Sequence, residues 1–337
     1  MEPISLNSLP EVGGVKNYAP LFIIETANAW IERAKTTPVP SMLFDVFWHE
    51  SEICILFADT NLGKSILAVQ IGESIAEGKH IPGFRFEGVS KKVVYYDFEL
   101  SQKQFEARYS EAFTNHFHFS DNFLRCEINP EAVLPEEFSS FDDYLNASLE
   151  FSIVETGAKI LIIDNLTYLR QETEKAKDAL PLMKHLKALK SKYGLSILAL
   201  AHTPKRDLSK PITRNDLAGS KMLINFCDSA FTVGECANDG SLRYLKQIKA
   251  RNTEIAYGAD NVGLCQISKN VNFLEFQFMG FSRESDHLRQ PSEKEEASLN
   301  DKIMELKSEG KSLREIGAAL GVSHTKVARI LKQNGTV

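Results

Sequence analysis

Gly63-Lys64-Ser65 is the stretch of this 337-residue sequence whose residue types and order speak most directly of chemistry. With the preceding Ala58-Asp59-Thr60-Asn61-Leu62 it matches G-x-x-x-x-G-K-[ST] at every position but the first, where Ala58 replaces glycine. In such a loop, backbone N–H groups curl around phosphate at a helix N-terminus, where the helix dipole favours an anion. The candidate cradle comprises Thr60, Asn61, Leu62, Gly63, Lys64, Ser65 and Ile66. Gly63 lets the backbone approach closely, Lys64 reaches the β- and γ-phosphates, and Ser65 holds Mg²⁺. The expected ligand is ATP with Mg²⁺. Alanine at position 58 suits many conformations of the turn, though not one that needs φ > 0.

Acidic residues follow where such a ligand needs them. In KILIIDNL, Asp164 closes an apolar run, the place where open α/β sheets put their ligands. A carboxylate there can hold Mg²⁺ through water, or simply cap a turn. In VVYYDFELS, Asp97 and Glu99 end another apolar run. Glu99 could orient and deprotonate a water that attacks the γ-phosphate; its other reading is a first-turn carboxylate of the helix beginning near Ser101.

These residues need a scaffold, and the chain predicts an α/β one. Strand-like runs at 53–57, 93–98, 159–164 and 195–201 alternate with helical patterns near 64–77, 102–114, 140–156 and 175–192. Apolar strands separated by helices indicate a mainly parallel sheet covered on both faces. Beyond Asp228 the runs shorten, which predicts an antiparallel extension of the same sheet. Before residue 50 one helix is expected, around Glu25–Ala34. Residues 283–298 are polar and aperiodic and read as a linker, after which a compact all-α unit occupies 299–337. The division is thus an N-terminal segment (1–34), a nucleotide-binding domain (35–282), the linker and the helical unit.

Composition is ordinary for a globular protein, at 43% hydrophobic and 25% charged. Five cysteines without a C-x-x-C pair suggest neither a disulfide framework nor a zinc site. No membrane-length apolar run and no secretory signal are evident, so a cytoplasmic setting with no membrane partner is expected.

The ordered set GKS, YDFELS…R, LIIDNL, LALAHTPK, DLAGS and IKARN resembles RecA-like hexameric ATPases over about residues 35–280. It is most similar to the RepA-type replicative helicases of plasmids and mobile elements. That resemblance implies a RecA-like core, a homo-oligomer in the form of a hexameric ring, and ATPase activity with possible helicase activity on plasmid or mobile-element DNA. It makes Glu99 the catalytic glutamate, Arg108 the arginine that follows it, Asp164 the Mg²⁺ residue and His202 the γ-phosphate sensor. Gly219-Ser220 match a pair carried before the next strand. Lys249 and Arg251 correspond to a K-x-R pair that enters a neighbouring subunit's site, where a cation in trans stabilises the phosphoryl transition state. Taken alone, such a pair reads as two solvated cations beside a turn.

In the same rings the segment 203–218 lines the channel. Here it carries Lys205, Arg206, Lys210 and Arg214 against Asp207 and Asp216. A ring of such loops would attract single-stranded DNA although the chain's net charge is −6; a basic loop is otherwise simply solvated. The stretch GKSLREIGAALGVSHTKVARILKQNG resembles a helix-turn-helix, with Gly321 ending one helix and Ser323 capping the next. Its exposed face would offer His324, Thr325, Lys326 and Arg329 to duplex DNA. Seven Lys/Arg against four Asp/Glu make 299–337 net +3; a protein-binding helical module has the same outline. Two further readings stay open: an ATP-switched DNA-binding regulator or assembly factor without helicase activity, and an ATPase whose partner is a protein. The absence of a long N-terminal domain implies that a replication role would depend on partners.

Overall fold

The computed structural model describes residues 22–168, 179–204, 206–217, 220–290 and 293–333. The chain divides into two units, Met1–Pro40 and Ser41–Val337. Within the first, Thr26 caps helix α1 (Ala27–Ala34) by accepting the Ala29 N–H at 3.2 Å. The helix therefore starts two residues later than its pattern suggests, and none of its side chains is buried.

In the second unit the elements follow in order. Strands β1 (Met42–Phe44) and β2 (Trp48–His49) form a small hairpin, and β3 (Ile53–Ala58) leads into helix α2 (Lys64–Glu77). Next come β4 (Val93–Asp97), α3 (Gln102–Arg108), the short pair β5 (Ser110–Glu111) and β6 (Asn115–His116), and β7 (Phe123–Cys126). Helix α4 (Phe141–Thr156), β8 (Ile160–Asp164), α5 (Ala179–Tyr193), β9 (Ser196–His202) and α6 (Ser220–Phe226) complete the crossovers. Strands β10 (Ser229–Glu235), β11 (Leu242–Lys249), β12 (Val262–Asn270) and β13 (Phe273–Ser282) then run to the last helices, α7 (Glu293–Ser308), α8 (Leu313–Leu320) and α9 (His324–Gln333).

Nine strands form one sheet in the order β13-β12-β11-β10-β3-β9-β8-β4-β7. From β10 to β7 every neighbouring pair is parallel. Strand residues alternate between two cores, as a two-residue period requires. Cys54, Leu56 and Ala58 face α2 and a cluster of aromatic side chains, whereas Ile53, Ile55 and Phe57 face α4 and α5. The fold class is α/β with a mainly parallel sheet.

Three details depart from the expectations. Strand β10 joins the parallel set; only β11, β12 and β13 extend the sheet antiparallel. Helix α6 carries the chain back across the sheet before β10 begins, so β10 runs parallel to β3, and it is buried almost throughout like the central strands. Helix α3 stops at Arg108 instead of continuing to 114, since Ala112 and Phe113 take left-handed backbone (φ 48° and 59°) and turn the chain between β5 and β6. The segment 283–298 is not a free tether throughout. Glu284 is 1% exposed, accepts the Ile212 N–H at 2.8 Å and pairs with Lys246. The backbone of His287 and Arg289 bonds Ala237 and Leu208, and α7 begins at Glu293. Polar composition does not distinguish a buried ion pair from a solvated tether.

Helices α7 to α9 enclose their own core of Ile303, Ile316, Val327, Ile330 and Leu331. Ser312 and Glu315 form a capping box at the start of α8, and Gly321 ends it in left-handed backbone (φ 66°). No described helix is long and apolar enough to cross a membrane.

Candidate active site

The ends of β3, β4, β8 and β9 converge where α2 begins. Ala58 is the last residue of β3, paired in register with His202. The departure from the glycine pattern therefore falls on ordinary extended backbone, where an alanine methyl is no obstacle. Glycine is required instead at Gly63, with φ 93° and a wall so close that a Cβ would lie 2.8 Å from Ile267 Cδ1 and 2.9 Å from Phe276 Cε2. Leu62 and Ile66 turn their side chains into the core, leaving only their amides for a phosphate cradle. Thr60 and Asn61 are exposed on the loop, and the Thr60 N–H is held by Asp59 Oδ1 at 2.8 Å.

Lys64 is 7% exposed and donates to the Ala58 and Asp59 carbonyls at 3.0 Å each. Its Nζ also lies 3.3 Å from His202 Nδ1. Burial pulls its pKa below the usual lysine value, against the opposing charges of Asp164, Glu99 and Asp59. An ammonium can only donate, so Nδ1 of His202 accepts from Lys64, while Nε2 lies 3.1 Å from the Asn165 side-chain nitrogen. That Nε2 is 3.3 Å from Glu99 Oε1, the same oxygen that receives the Asn165 side-chain amide. Lys64, His202, Glu99 and Asn165 thus form one connected polar chain. The His202 hydrogen bond, aided by the Lys64 charge, holds the Glu99 carboxyl below its ordinary range despite partial burial.

Asp97 and Asp164 lie level on adjacent strands, yet their roles separate. Asp97 Oδ1 accepts the Glu99 and Leu100 amides at 3.2 and 2.9 Å, while Oδ2 receives Arg125 Nε at 2.9 Å. Arg125 also donates to the Leu100 carbonyl at 2.8 Å. These bonds fix the turn that presents Glu99. Asp164 is 1% exposed and accepts the Tyr95 hydroxyl at 2.7 Å. Burial pushes its pKa up to about 6, with the Ser65 and Tyr95 hydroxyls pulling the other way.

Among the described residues no cluster of three metal-ligating His, Cys, Asp or Glu side chains occurs. Ser65 and Asp164, within hydrogen-bonding reach of each other, nevertheless offer two oxygen donors. That set fits Mg²⁺, which keeps several waters and takes one or two protein oxygens beside substrate phosphates.

Other candidate residues lie apart. Lys249 pairs in register with Ala230, near the starting edge of the parallel strands, opposite the edge that carries Lys64. It donates to the Ile224 and Cys227 carbonyls, and Arg251 Nη1 bonds Asp228 Oδ1 at 3.0 Å. Arg108 ends α3 with Nη1 buried and without a hydrogen-bond partner. In the basic loop Arg206 donates to the Lys210 carbonyl at 3.0 Å, Lys210 pairs with Asp207 at 3.4 Å, and Arg214 opens a short 3-10 turn. Lys205 and Gly219 lie outside the described residues. On α9, His324, Thr325 and Arg329 are exposed and Lys326 is half-buried.

Sequence reasoning missed Tyr95, Asn165 and Arg125. Tyr95 had a signal, since it shares a strand face with Asp97; Asn165 simply follows Asp164. Arg125 sits on the short edge strand β7, where four residues give no readable period.

A family model described as an AAA domain matches residues 24–207. Among solved structures, a KaiC-like protein from the hyperthermophilic archaeon Pyrococcus horikoshii is similar at 14% identity. The match covers 68% of this chain and 91% of that one, with a TM-score of 0.46. No curated protein matches the chain.

Proposed function

The chain belongs to the AAA domain family, and we propose that its ATPase is oligomeric and DNA-dependent, of the RepA-helicase kind, and serves plasmid or mobile-element DNA. The observation that carries the catalytic part is the chain Lys64–His202–Glu99–Asn165 at neighbouring strand ends. Glu99 stays ionised at neutral pH and accepts the proton of a water whose oxygen bonds to the γ-phosphorus as the bond to the β,γ-bridging oxygen breaks. Lys64 turns from the Ala58 and Asp59 carbonyls to the phosphates. His202 touches both Lys64 and Glu99, so it registers whether Lys64 has moved. Mg²⁺ held at Ser65 and Asp164 would neutralise charge on the phosphate oxygens.

Lys249 and Arg251 cannot reach the Lys64 site of their own chain from the far sheet edge, which supports their use by a neighbouring subunit in a ring. The loop carrying Lys205, Arg206, Lys210 and Arg214 tracks single-stranded DNA in this reading, and α9 meets duplex DNA through His324, Thr325, Lys326 and Arg329. The separate core of the C-terminal helices favours a second reading, an ATP-switched DNA-binding regulator that unwinds nothing.

The test is ATP turnover by Glu99→Gln beside nucleotide binding. Turnover should fall by about 10²–10⁴-fold while ATP still binds; wild-type turnover would remove Glu99 from the chemistry. Stimulation of the wild-type protein by single-stranded DNA, and strand displacement on a fork, separate helicase from regulator. Stimulation by neither single-stranded nor duplex DNA would favour a protein partner.

A further inference from the structure

At the opposite end of α2 from Lys64, a cavity of about 450 Å³ opens between the helix and the turn joining β12 to β13. Its walls include Glu73, Glu77, Lys79 and Glu275, with Phe117 and Phe273 beside them, so Lys and carboxylate charges sum to −2. Lys79 is already paired with Glu77 at 3.1 Å.

Glu73 is the unusual member. It is 4% exposed, and one carboxylate oxygen accepts the Ser120 N–H at 2.9 Å. The other oxygen, Oε2, is buried with no hydrogen-bond partner. Buried acceptors are normally satisfied, and leaving one bare costs about 1–3 kcal/mol, more when it is charged. The two phenylalanine rings lie with centroids 4.4 Å apart and form an apolar part of the wall. Described residues offer no cluster of three metal ligands here.

We propose that this cavity binds an organic cation, a guanidinium or primary ammonium, whose N–H completes the Glu73 carboxylate while its carbon stem lies against Phe117 and Phe273. The cation belongs either to a free amine or to an arginine side chain of a protein, and the chemistry at Glu73 is the same for both. The site is independent of the nucleotide reading and uses none of its residues.

Calorimetric titration of the full chain with agmatine, with an end-blocked Gly-Arg-Gly peptide and with neutral butylurea tests the inference. At least one cationic probe should bind saturably at one per chain, and butylurea should not. Glu73→Gln keeps the acceptor for Ser120 and should weaken binding by at least about tenfold, the worth of one charged hydrogen bond. Glu275→Gln, on the wall rather than in the core, should weaken it severalfold and serves if the first variant folds poorly. Agmatine binding without the peptide identifies a free amine; the peptide without agmatine identifies a protein arginine; both together identify the guanidinium alone as what is recognised. No saturation by either cation, equal binding of butylurea, or unchanged binding by both variants would overturn the proposal.

Discussion

A half-paired carboxylate weakens a fold when it is buried with its charge, and Glu73 is such a group. Burial raises its pKa from 4.5 to about 6. The folded chain therefore holds the proton more tightly than the unfolded chain does. Its contribution to stability is full below pH 4.5 and disappears as pH rises through about 6. The difference amounts to roughly 2 kcal/mol. Glu73→Gln should accordingly raise unfolding stability by up to about 2 kcal/mol at pH 7.5 and by almost nothing at pH 4, as read from urea transitions at the two pH values. Equal gains at both would mean that packing, and not charge, sets the effect. Gly63 teaches the complementary lesson, because there the local requirement is steric: left-handed backbone against Phe276 and Ile267.

At the level of elements, the alternation of apolar runs and helical patterns was enough to place β3, β4, β8 and β9 and the helix α2. Side chains at the ends of those strands had to converge, so the positions of Lys64, Glu99, Asp164 and His202 were readable in advance. Their mutual bonds were not. Asn165 and Arg125 act through contacts between strands far apart in sequence, and no local period encodes those. The direction of β10 depended on a crossover through α6, a seven-residue helix too short to announce itself. The segment after β13 was misleading for another reason: its acidic residues look solvated, whereas Glu284 is buried against Lys246. A chain ending at residue 290 should keep the stability of the nucleotide-binding unit, whereas one ending at 284 should lose about 2–5 kcal/mol with the packing of Leu288 and the bonds to His287 and Arg289. Thermal unfolding of the two truncations decides this, and equal melting temperatures would return residues 285–290 to the role of a tether. If α7 to α9 form the duplex-binding unit, both truncations also lose site-preferring DNA binding.

For the molecule as a whole, the arrangement of charge matters more than its sum of −6. Arg251 is about half exposed, steadied at one nitrogen by Asp228, with the rest of its guanidinium open. In the proposed ring it reaches the phosphates of the next subunit. Arg251→Ala should then lower ATP turnover by about 10³–10⁵-fold and leave nucleotide affinity within a few-fold. Turnover equal to wild type would sink the assignment.

The distance between the two sheet edges has a kinetic consequence. Strand β3 alone runs for roughly 20 Å, and the Lys249–Arg251 end lies at its start while Lys64 lies beyond its finish. If both ends are needed for one turnover, a lone chain holds two halves that never meet. Hydrolysis per chain would then fall as the protein is diluted, and rise towards a plateau as it is concentrated, even with ATP saturating throughout. Doping with Arg251→Ala chains would depress the rate out of proportion to their number only if neighbours fire in sequence; independent sites would give a straight line.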